Sequence, residues 1–238
     1  MFTRLHHQRI AKVLESLDAD LLKRHNCLFA GGTAIALRYG EYRESVDIDF
    51  LVSDLSSYRY LRNLVREQGL QALMKSTAAG QLQTLDIRSD QYGIRTKVFV
   101  EGKPIKFQMV LEGRIGLAKP GKKDSILGVA TLTKLDMATS KLLANSDRGL
   151  GMGMHCRDAI DLAMLNLSKP EFAEATTKAE VAYGEAILKD LAKVMGMLGE
   201  ANGLLERCVK AMDVSVPRAL LWQNISKVGS FIANGISN

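Results

Sequence analysis

The chain has 238 residues, 47% hydrophobic and 24% charged, with a net charge of +6 and a pI near 9.2. This balance excludes an intrinsically disordered chain, and no apolar run reaches the ~18 residues of a transmembrane helix. The N-terminus lacks the apolar core of a signal peptide, so we expect a cytoplasmic protein with no membrane segment.

The first half of the chain alternates between helical and strand patterns. Apolar residues at helical spacing predict one amphipathic helix over about 4–24, which we interpret as scaffold. The later pattern predicts, in order, a strand over 27–30, a glycine turn, a short helix over 33–39, a strand over 46–52, a helix from Ser56 or Ser57 to 68, and strands over 82–88, 95–100 and 105–111. The last two strands form a hairpin through the turn at 101–104.

The second half is predicted to be mainly helical. Helices are expected over about 131–145, over about 155–167 after a glycine-rich loop at 149–153, and over several segments between 171 and 235. We therefore predict an α+β protein, in which a mixed, largely antiparallel sheet with helices forms a core over 1–118. A helical region over 119–238 is expected to pack on that core.

Two carboxylates, Asp47 and Asp49, stand one residue apart in the apolar run from Val46 to Val52. In a strand, this spacing places both side chains on one face, where two like charges repel each other beside an apolar core. A cation would relieve the repulsion, and because only oxygen ligands are offered we expect Mg²⁺ or Mn²⁺. The alternative is a pair of solvated acids at a strand edge.

The turn Gly31-Gly32-Thr33 precedes this strand and opens the short helix. Glycine lets a backbone approach a phosphate closely, and the N–H groups at a helix N-terminus bind anions. Thr33 adds a hydroxyl group. Beside a metal site the turn predicts a bound nucleoside triphosphate (NTP), and the alternative is an ordinary helix-capping turn.

The three cysteines, Cys27, Cys156 and Cys208, show neither metal-binding nor disulfide spacing. We expect all three to be reduced and buried, as in a reducing compartment. Neither a zinc site nor a disulfide framework is predicted.

The combination of these motifs resembles that of the nucleotidyltransferase superfamily. Gly-Gly-Thr-Ala from Gly31, followed by Arg-x-Ser-x-Asp-Ile-Asp-Phe from Arg43, is similar in particular to the AbiEii/AbiGii toxin family, which includes MenT-like toxins. Further on, Lys141 and the segment Arg-Asp-x-x-Asp-Leu from Arg157 resemble later motifs of the family. The resemblance extends over about 28–165 and implies a nucleotidyltransferase core.

The resemblance also implies roles for individual residues. The implied catalytic residues are Asp47, Asp49, Lys141 and Asp158, and the implied nucleotide-binding residues are Gly31, Gly32, Thr33, Arg43 and Ser45. Lys141 would place its ammonium on the β and γ phosphates, with a surface lysine as the alternative. Arg43 would hold a phosphate bidentately or pair with Glu41 or Glu44.

One position departs from the family pattern. Nucleotidyltransferases usually have a third carboxylate on the neighbouring strand, where it ligates a metal and accepts a proton, and here that place holds Gln108. An amide coordinates weakly and accepts no proton. Glu112 lies about 13 Å further along the strand at the usual rise per residue, and Asp86 or Asp90 would serve in a different register.

These observations predict an enzyme that transfers a nucleoside monophosphate (NMP) from an NTP to an acceptor hydroxyl with Mg²⁺ or Mn²⁺. The family resemblance implies the toxin of a toxin–antitoxin or abortive-infection pair, with a cognate antitoxin protein and an RNA acceptor such as the 3′ end of tRNA. The net positive charge suits RNA, with contacts expected from the segment 119–123, Lys141 and Arg148. The alternatives are transfer to a protein or small molecule, and an attenuated nucleotide- or protein-binding module.

Overall fold

The structure is a computed structural model that describes residues 2–78, 82–148, 156–200 and 203–235. Its helices are α1 (Leu5–Ser16), α2 (Ala19–Arg24), α3 (Gly31–Arg38), α4 (Leu55–Gln68), α5 (Lys134–Arg148), α6 (Cys156–Met164), α7 (Lys169–Tyr183), α8 (Ala186–Gly199), α9 (Leu204–Ala211) and α10 (Arg218–Gly235). Its strands are β1 (Leu28–Ala30), β2 (Ile48–Val52), β3 (Gln83–Thr84), β4 (Arg88–Ser89), β5 (Gly93–Val100), β6 (Lys103–Leu111), β7 (Ser125–Ile126) and β8 (Val129–Ala130). Two short 3₁₀ turns lie at Leu70–Leu73 and Ser76–Ala78.

Contacts divide the chain into two compact units. The first contains Met1–Arg38 and Ser45–Thr133, and the second contains Tyr39–Glu44 and Lys134–Asn238. The division after Thr133 lies later than the boundary expected after residue 118. The reason is that the segment following 118 bonds to the sheet: Thr131 forms a bridge with Phe29, and the Leu132 N–H donates to the Phe29 carbonyl.

A mixed sheet forms the centre of the first unit, with the strand order β1-β2-β6-β5-β3 and with β4 also paired to β5. Only β2 and β6 pair in parallel among these neighbours, and the other pairs are antiparallel. Phe29, Phe50 and Phe107 contact one another across three strands, with ring centroids 5.6 Å apart in each neighbouring pair. The predicted α+β core with a mixed, largely antiparallel sheet is confirmed.

Alternating burial gives the sheet one apolar face and one open face. In β2, Ile48, Phe50 and Val52 are buried, whereas Asp49 and Leu51 between them are half-buried. The period of two in the sequence produces this alternation. The face that carries Asp49 is therefore the face available to a ligand.

The predicted helix over 4–24 is wrong in one respect, because it is divided at Leu17 and Asp18. Leu17 is extended and forms a bridge with Met74. The Asp18 side chain accepts the Leu21 N–H at 2.8 Å and so begins α2 as its N-cap. A sequence pattern of helical period does not reveal such a break, since the apolar positions on both sides keep the same spacing.

Two other elements of the first unit differ from those expected. Helix α4 is capped by Asp54, which accepts the Ser57 N–H, rather than by Ser56 or Ser57. The strand expected over 82–88 is present only as β3 and β4, and the residues between them are mostly exposed although Leu85 and Ile87 are apolar. The hairpin turn after β5 is as predicted, with positive φ at Glu101 and Gly102.

The second unit consists mainly of helices. Helix α7 begins with a capping box, in which Ser168 and Glu171 satisfy each other's backbone N–H groups. The glycine-rich loop expected at 149–153 lies outside the described residues, and the helix expected after it is α6. No helix in the described ranges is long and apolar enough to cross a membrane.

The expectation of three reduced thiols is wrong for two of them. Cys156 and Cys208 form a disulfide between α6 and α9, with their Cα atoms 6.3 Å apart. Fifty-two positions separate them in the sequence, so local spacing does not indicate the pairing. Cys27 is free and buried, and burial raises the pKa of its thiol well above the ordinary value.

Candidate active site

The glycine turn lies directly against the Asp49 carboxylate. Ala30, the last residue of β1, pairs with Asp49 of β2, and Gly31 then begins α3 with a φ of +72°. A Cβ atom at Gly31 would overlap Asp49 Oδ2. Both the positive φ and the close approach require glycine at this position.

Gly31→Ala is expected to destabilise the protein by about 1–3 kcal/mol, because a non-glycine residue at positive φ is strained and its Cβ displaces a carboxylate. Urea unfolding measures the change. Gly40→Ala is the matched control, since Gly40 also has positive φ (+82°) but a Cβ added there would meet no atom within 4 Å. A larger loss in the control would contradict a role for the Asp49 contact.

The two predicted metal ligands are both half-buried, but only Asp49 lies within the strand. Asp47 precedes the first residue of β2, and Val46 is 49% exposed. The strand therefore begins two residues later than the expected 46–52, because its pairing with β6 starts at Ile48. Asp47 and Asp49 nevertheless supply carboxylate oxygens one residue apart in the chain.

Buried hydroxyl groups hold the backbone that carries Asp47. Thr33 Oγ1 donates to the Asp47 carbonyl at 2.5 Å and lies 2.8 Å from Ser45 Oγ. The Ser45 backbone N–H donates in turn to His7 Nε2 at 3.1 Å. The Thr33 and Ser45 side chains, predicted to contact a nucleotide, thus have structural partners within the loop.

Sequence reasoning missed His7, which is fully buried on α1. Its spacing from Ile10 and Leu14, at i+3 and i+7, places it on the buried face of that helix and would have indicated its burial. Because Nε2 accepts a hydrogen bond from Ser45, this nitrogen carries no proton. Helix α1 is therefore scaffold, as expected, and it also fixes the loop before β2.

Gln108 occupies the position opposite Asp49, as the family pattern implies. The register pairs the two residues across β2 and β6, and Gln108 Nε2 donates to Asp49 Oδ1 at 2.6 Å. The amide group is the donor in this bond and thus orients one oxygen of the Asp49 carboxylate. An ionised carboxylate at position 108 has no proton to donate and would not do so. Asp49 Oδ2 is the oxygen that faces Gly31.

The other acids considered for a third carboxylate have different surroundings. Glu112 is buried and pairs with Arg114 at 2.6 Å. Asp90 is exposed and accepts the Tyr92 and Gly93 N–H groups, which lower the pKa of its carboxyl. Asp86 is also exposed. Within the described ranges, no group of three or more His, Cys, Asp and Glu side chains is arranged to hold a metal ion.

Gln108→Glu is expected to lower the stability of the metal-free protein by about 2 kcal/mol, because it replaces a hydrogen bond to a charged group by repulsion between carboxylates. Mg²⁺ should restore more stability to this variant than to the parent chain. Thermal unfolding with and without Mg²⁺ measures both effects. Gln83→Glu, an exposed position in the same sheet, is the control, and equal Mg²⁺ responses in all three proteins would contradict the prediction.

A second polar cluster lies in the second unit and contains the other predicted residues. Arg43 forms a bidentate ion pair with Asp161, in which Nε donates to Oδ1 at 2.7 Å and Nη2 donates to Oδ2 at 2.9 Å. Lys141 Nζ lies 2.9 Å from Asp158 Oδ1 and 2.7 Å from Asp161 Oδ2. Arg148 pairs with the second oxygen of Asp158 at 2.6 Å. The predicted residues Arg43, Lys141 and Asp158 are thus brought together.

Four of the five charges of this cluster are buried, and Arg148 is the partly exposed one. Burial alone would raise the pKa of Asp161, but Lys141 and Arg43 hold it well below the ordinary value. Burial likewise opposes the charge of Lys141, and Asp161 and Asp158 outweigh it and raise the pKa of the ammonium. Three cations with two carboxylates leave one positive charge in excess.

This cluster contradicts two of the alternatives considered above and adds a residue that sequence reasoning had not placed. Arg43 pairs with Asp161 rather than with Glu41 or Glu44, so two of its guanidinium nitrogens already donate to a carboxylate. Lys141 is a buried, paired residue rather than a surface lysine. Tyr42, which donates to Asp161 Oδ1 at 2.5 Å, was missed. The spacing of Asp158 and Asp161, three apart on one helix, indicated that both face the same side.

The sheet, the glycine turn and the carboxylate of β2 define a nucleotidyltransferase fold. A protein of H. pylori whose crystal structure is described as that of a candidate nucleotidyltransferase is similar over 96% of this chain and 92% of its own, with 17% identity and a TM-score of 0.54. JHP933 from Helicobacter pylori is similar over 98% and 92%, with 16% identity and a TM-score of 0.56. A third structure, MenT4, a nucleotidyltransferase toxin from Mycobacterium tuberculosis, has 16% identity over 97% and 86% and a TM-score of 0.47.

The sequence places the chain more narrowly than the fold. The family described as nucleotidyl transferase AbiEii toxin, type IV toxin–antitoxin system, matches residues 12–203. The chain therefore belongs to the AbiEii family of nucleotidyltransferase toxins, as its motifs had indicated. No curated protein sequence matches it.

Proposed function

We propose that the protein is a Mg²⁺-dependent enzyme that transfers NMP from an NTP to the 3′ hydroxyl of an RNA, with tRNA as the first acceptor to test. The observation that carries the proposal is the Asp49 carboxylate, held between the Gln108 amide and the Gly31 backbone on the open face of the sheet. A cognate antitoxin protein and a cytoplasmic site of action belong to the same proposal.

The residues present suit a hard divalent cation. Asp47 and Asp49 offer carboxylate oxygens, which Mg²⁺ prefers, and both side chains are half-buried, so they keep access to solvent. When bound, the metal would neutralise phosphate charge and favour departure of pyrophosphate. The chain itself orients Asp49 through Gln108 and fixes the Asp47 backbone through Thr33.

The glycine turn would receive the triphosphate. The Cβ position that Gly31 leaves empty is taken by the Asp49 carboxylate, so the triphosphate would be held by N–H groups at the N-terminus of α3, which bind phosphate oxygens. The Thr33 hydroxyl is engaged with the Asp47 carbonyl, so we assign the phosphate contact to backbone N–H groups of 31–33. The catalytic roles of Lys141 and Asp158 and the nucleotide contact of Arg43 stay predictions from the family resemblance.

The test is incubation of the full chain with each of the four labelled NTPs and total tRNA in Mg²⁺. We expect label at the RNA 3′ end with one or more NTPs, and loss of label when the metal is chelated. Periodate oxidation of the RNA terminus removes the acceptor hydroxyl and is the control. Label that survives oxidation, or that enters protein or small molecules instead, would overturn the RNA acceptor.

Gln108 favours a second candidate, a chain that binds nucleotide without transferring it. An amide at 108 accepts no proton from an acceptor hydroxyl. In that case calorimetry would show Mg²⁺-dependent NTP binding, while none of the acceptor fractions would gain label. Transfer at any measurable rate by the parent chain would exclude this candidate.

A further inference from the structure

A row of side chains crosses the open face of the sheet from Asp49. In the register of the sheet, Asp49 lies directly opposite Gln108, Gln108 opposite Arg95, and Arg95 opposite Arg88. These four residues lie on four neighbouring strands. Residues directly opposite each other in a sheet point to the same face. The two arginines therefore share the face of the candidate active site, and Arg88 lies about 14 Å from Asp49 at the usual spacing of strands.

Two lysines widen this row into a patch. Lys97 and Lys106 lie directly opposite each other on β5 and β6, and both are exposed. They are two residues from Arg95 and Gln108 respectively, so they lie on the same face. We define the basic strip as Arg88, Arg95, Lys97 and Lys106.

The strip is not neutralised by neighbouring acids. Arg95 pairs with Asp90 at 3.3 Å, but both side chains are largely exposed, so this pair is weak. Arg88, Lys97 and Lys106 form no ion pair with any residue in the described ranges. Like charges directly opposite in a sheet are destabilising, so the lysine pair lowers the stability of the folded chain, and a bound anion would offset this.

We propose that the basic strip binds the phosphate backbone of a single RNA strand and leads its 3′ end to Asp49. The inference rests on the proposed function, because that reaction needs a free hydroxyl next to Asp49. The regular row of cations complements the regular charges of a polynucleotide. The distance of about 14 Å from Arg88 to Asp49 accommodates about four nucleotides at the ~3.4 Å rise of a stacked strand.

The test replaces both lysines in Lys97→Gln/Lys106→Gln. The control is Lys189→Gln/Lys193→Gln, which removes the same charge from exposed lysines of α8. Fluorescence anisotropy with a labelled single-stranded RNA of about 12 nucleotides, a length within the usual range of single-strand sites, gives the dissociation constant from ~50 to ~200 mM salt. Calorimetry with NTP and Mg²⁺ is measured in parallel on each protein.

We expect the strip variant to bind RNA at least about tenfold more weakly at ~50 mM salt, and the slope of log affinity against log salt to fall by about 1.4, or ~0.7 per lost phosphate contact. The NTP affinity should not change. The melting temperature should stay equal or rise, because a repulsive pair is removed; this separates lost binding from lost folding.

Equal RNA affinities of the strip variant and the α8 control would overturn the proposal that the strip binds RNA, whether or not the parent chain transfers NMP. RNA binding that depends on the strip, without any transfer of NMP, would support RNA binding by the strip and overturn the proposed function. Transfer of NMP by the parent chain to a protein or small molecule, together with no RNA binding at ~50 mM salt, would overturn RNA binding by the strip. Nucleotidyl transfer itself would then remain the activity.

Discussion

Asp49→Asn is expected to lower the rate of nucleotidyl transfer by about a thousandfold or more, because a metal-binding carboxylate contributes several kcal/mol to the stabilisation of transition-state charge. Asp47→Ala should have a comparable effect and should abolish Mg²⁺-dependent NTP binding. Transfer rates and calorimetry at millimolar Mg²⁺ measure the two results. Neither variant needs to unfold, since each removes one of two neighbouring negative charges.

Asp86→Asn is the matched control for these variants, because Asp86 is an exposed carboxylate of the same unit. It should transfer NMP at the parent rate. If the Asp49→Asn or Asp47→Ala protein has the NTP affinity and transfer rate of the parent chain, the active site does not lie on this face of the sheet.

Asp161→Ala is expected to cost about 3–5 kcal/mol of unfolding free energy, because it leaves two buried cations without their shared carboxylate. Arg43 and Lys141 both contact Asp161 at hydrogen-bonding distance. The midpoint of urea unfolding measures the loss. Tyr42→Phe, which removes one hydrogen bond and no charge, should cost only about 1 kcal/mol, and a similar loss in both variants would contradict the account.

The pH dependence of stability provides a separate check. The folded pKa of Asp161 lies below its unfolded value, so its contribution is fully present above pH ~4, the ordinary range for aspartate. It is lost as the pH falls towards the folded pKa. The stability difference between the parent chain and Asp161→Asn should therefore shrink on acidification below pH ~4, and a difference that grows would contradict the assignment.

The parts of the fold that follow local patterns were predictable from the sequence. The alternation in β2, β5 and β6 identified the sheet, and the pairing of Gln108 with Asp49 is the one that the family pattern implies. Gly31 was predicted to bind phosphate, and that stays a prediction, but its contact with Asp49 Oδ2 appears only when β1 and β2 are paired. Local periodicity carries no information on such approaches.

The parts that depend on distant partners were not predictable. The bridge of Leu17 to Met74 interrupts a helix whose apolar spacing is continuous. The partner of Arg43 was sought among adjacent glutamates, whereas Asp161 lies 118 positions away. Charge and spacing identify residues that need a partner, and only the folded chain shows which partner is used.

The distance in sequence between Arg43 and Asp161 also affects how the chain is made. During synthesis Tyr42 and Arg43 leave the ribosome long before α6 exists, and a buried guanidinium without its carboxylate is strongly unfavourable. The segment Tyr39–Glu44 therefore has no stable place in its unit until about two thirds of the protein has been translated. Contacts of such long range form slowly, so chains that terminate before Asp158 should remain substrates for proteases rather than persist as folded fragments.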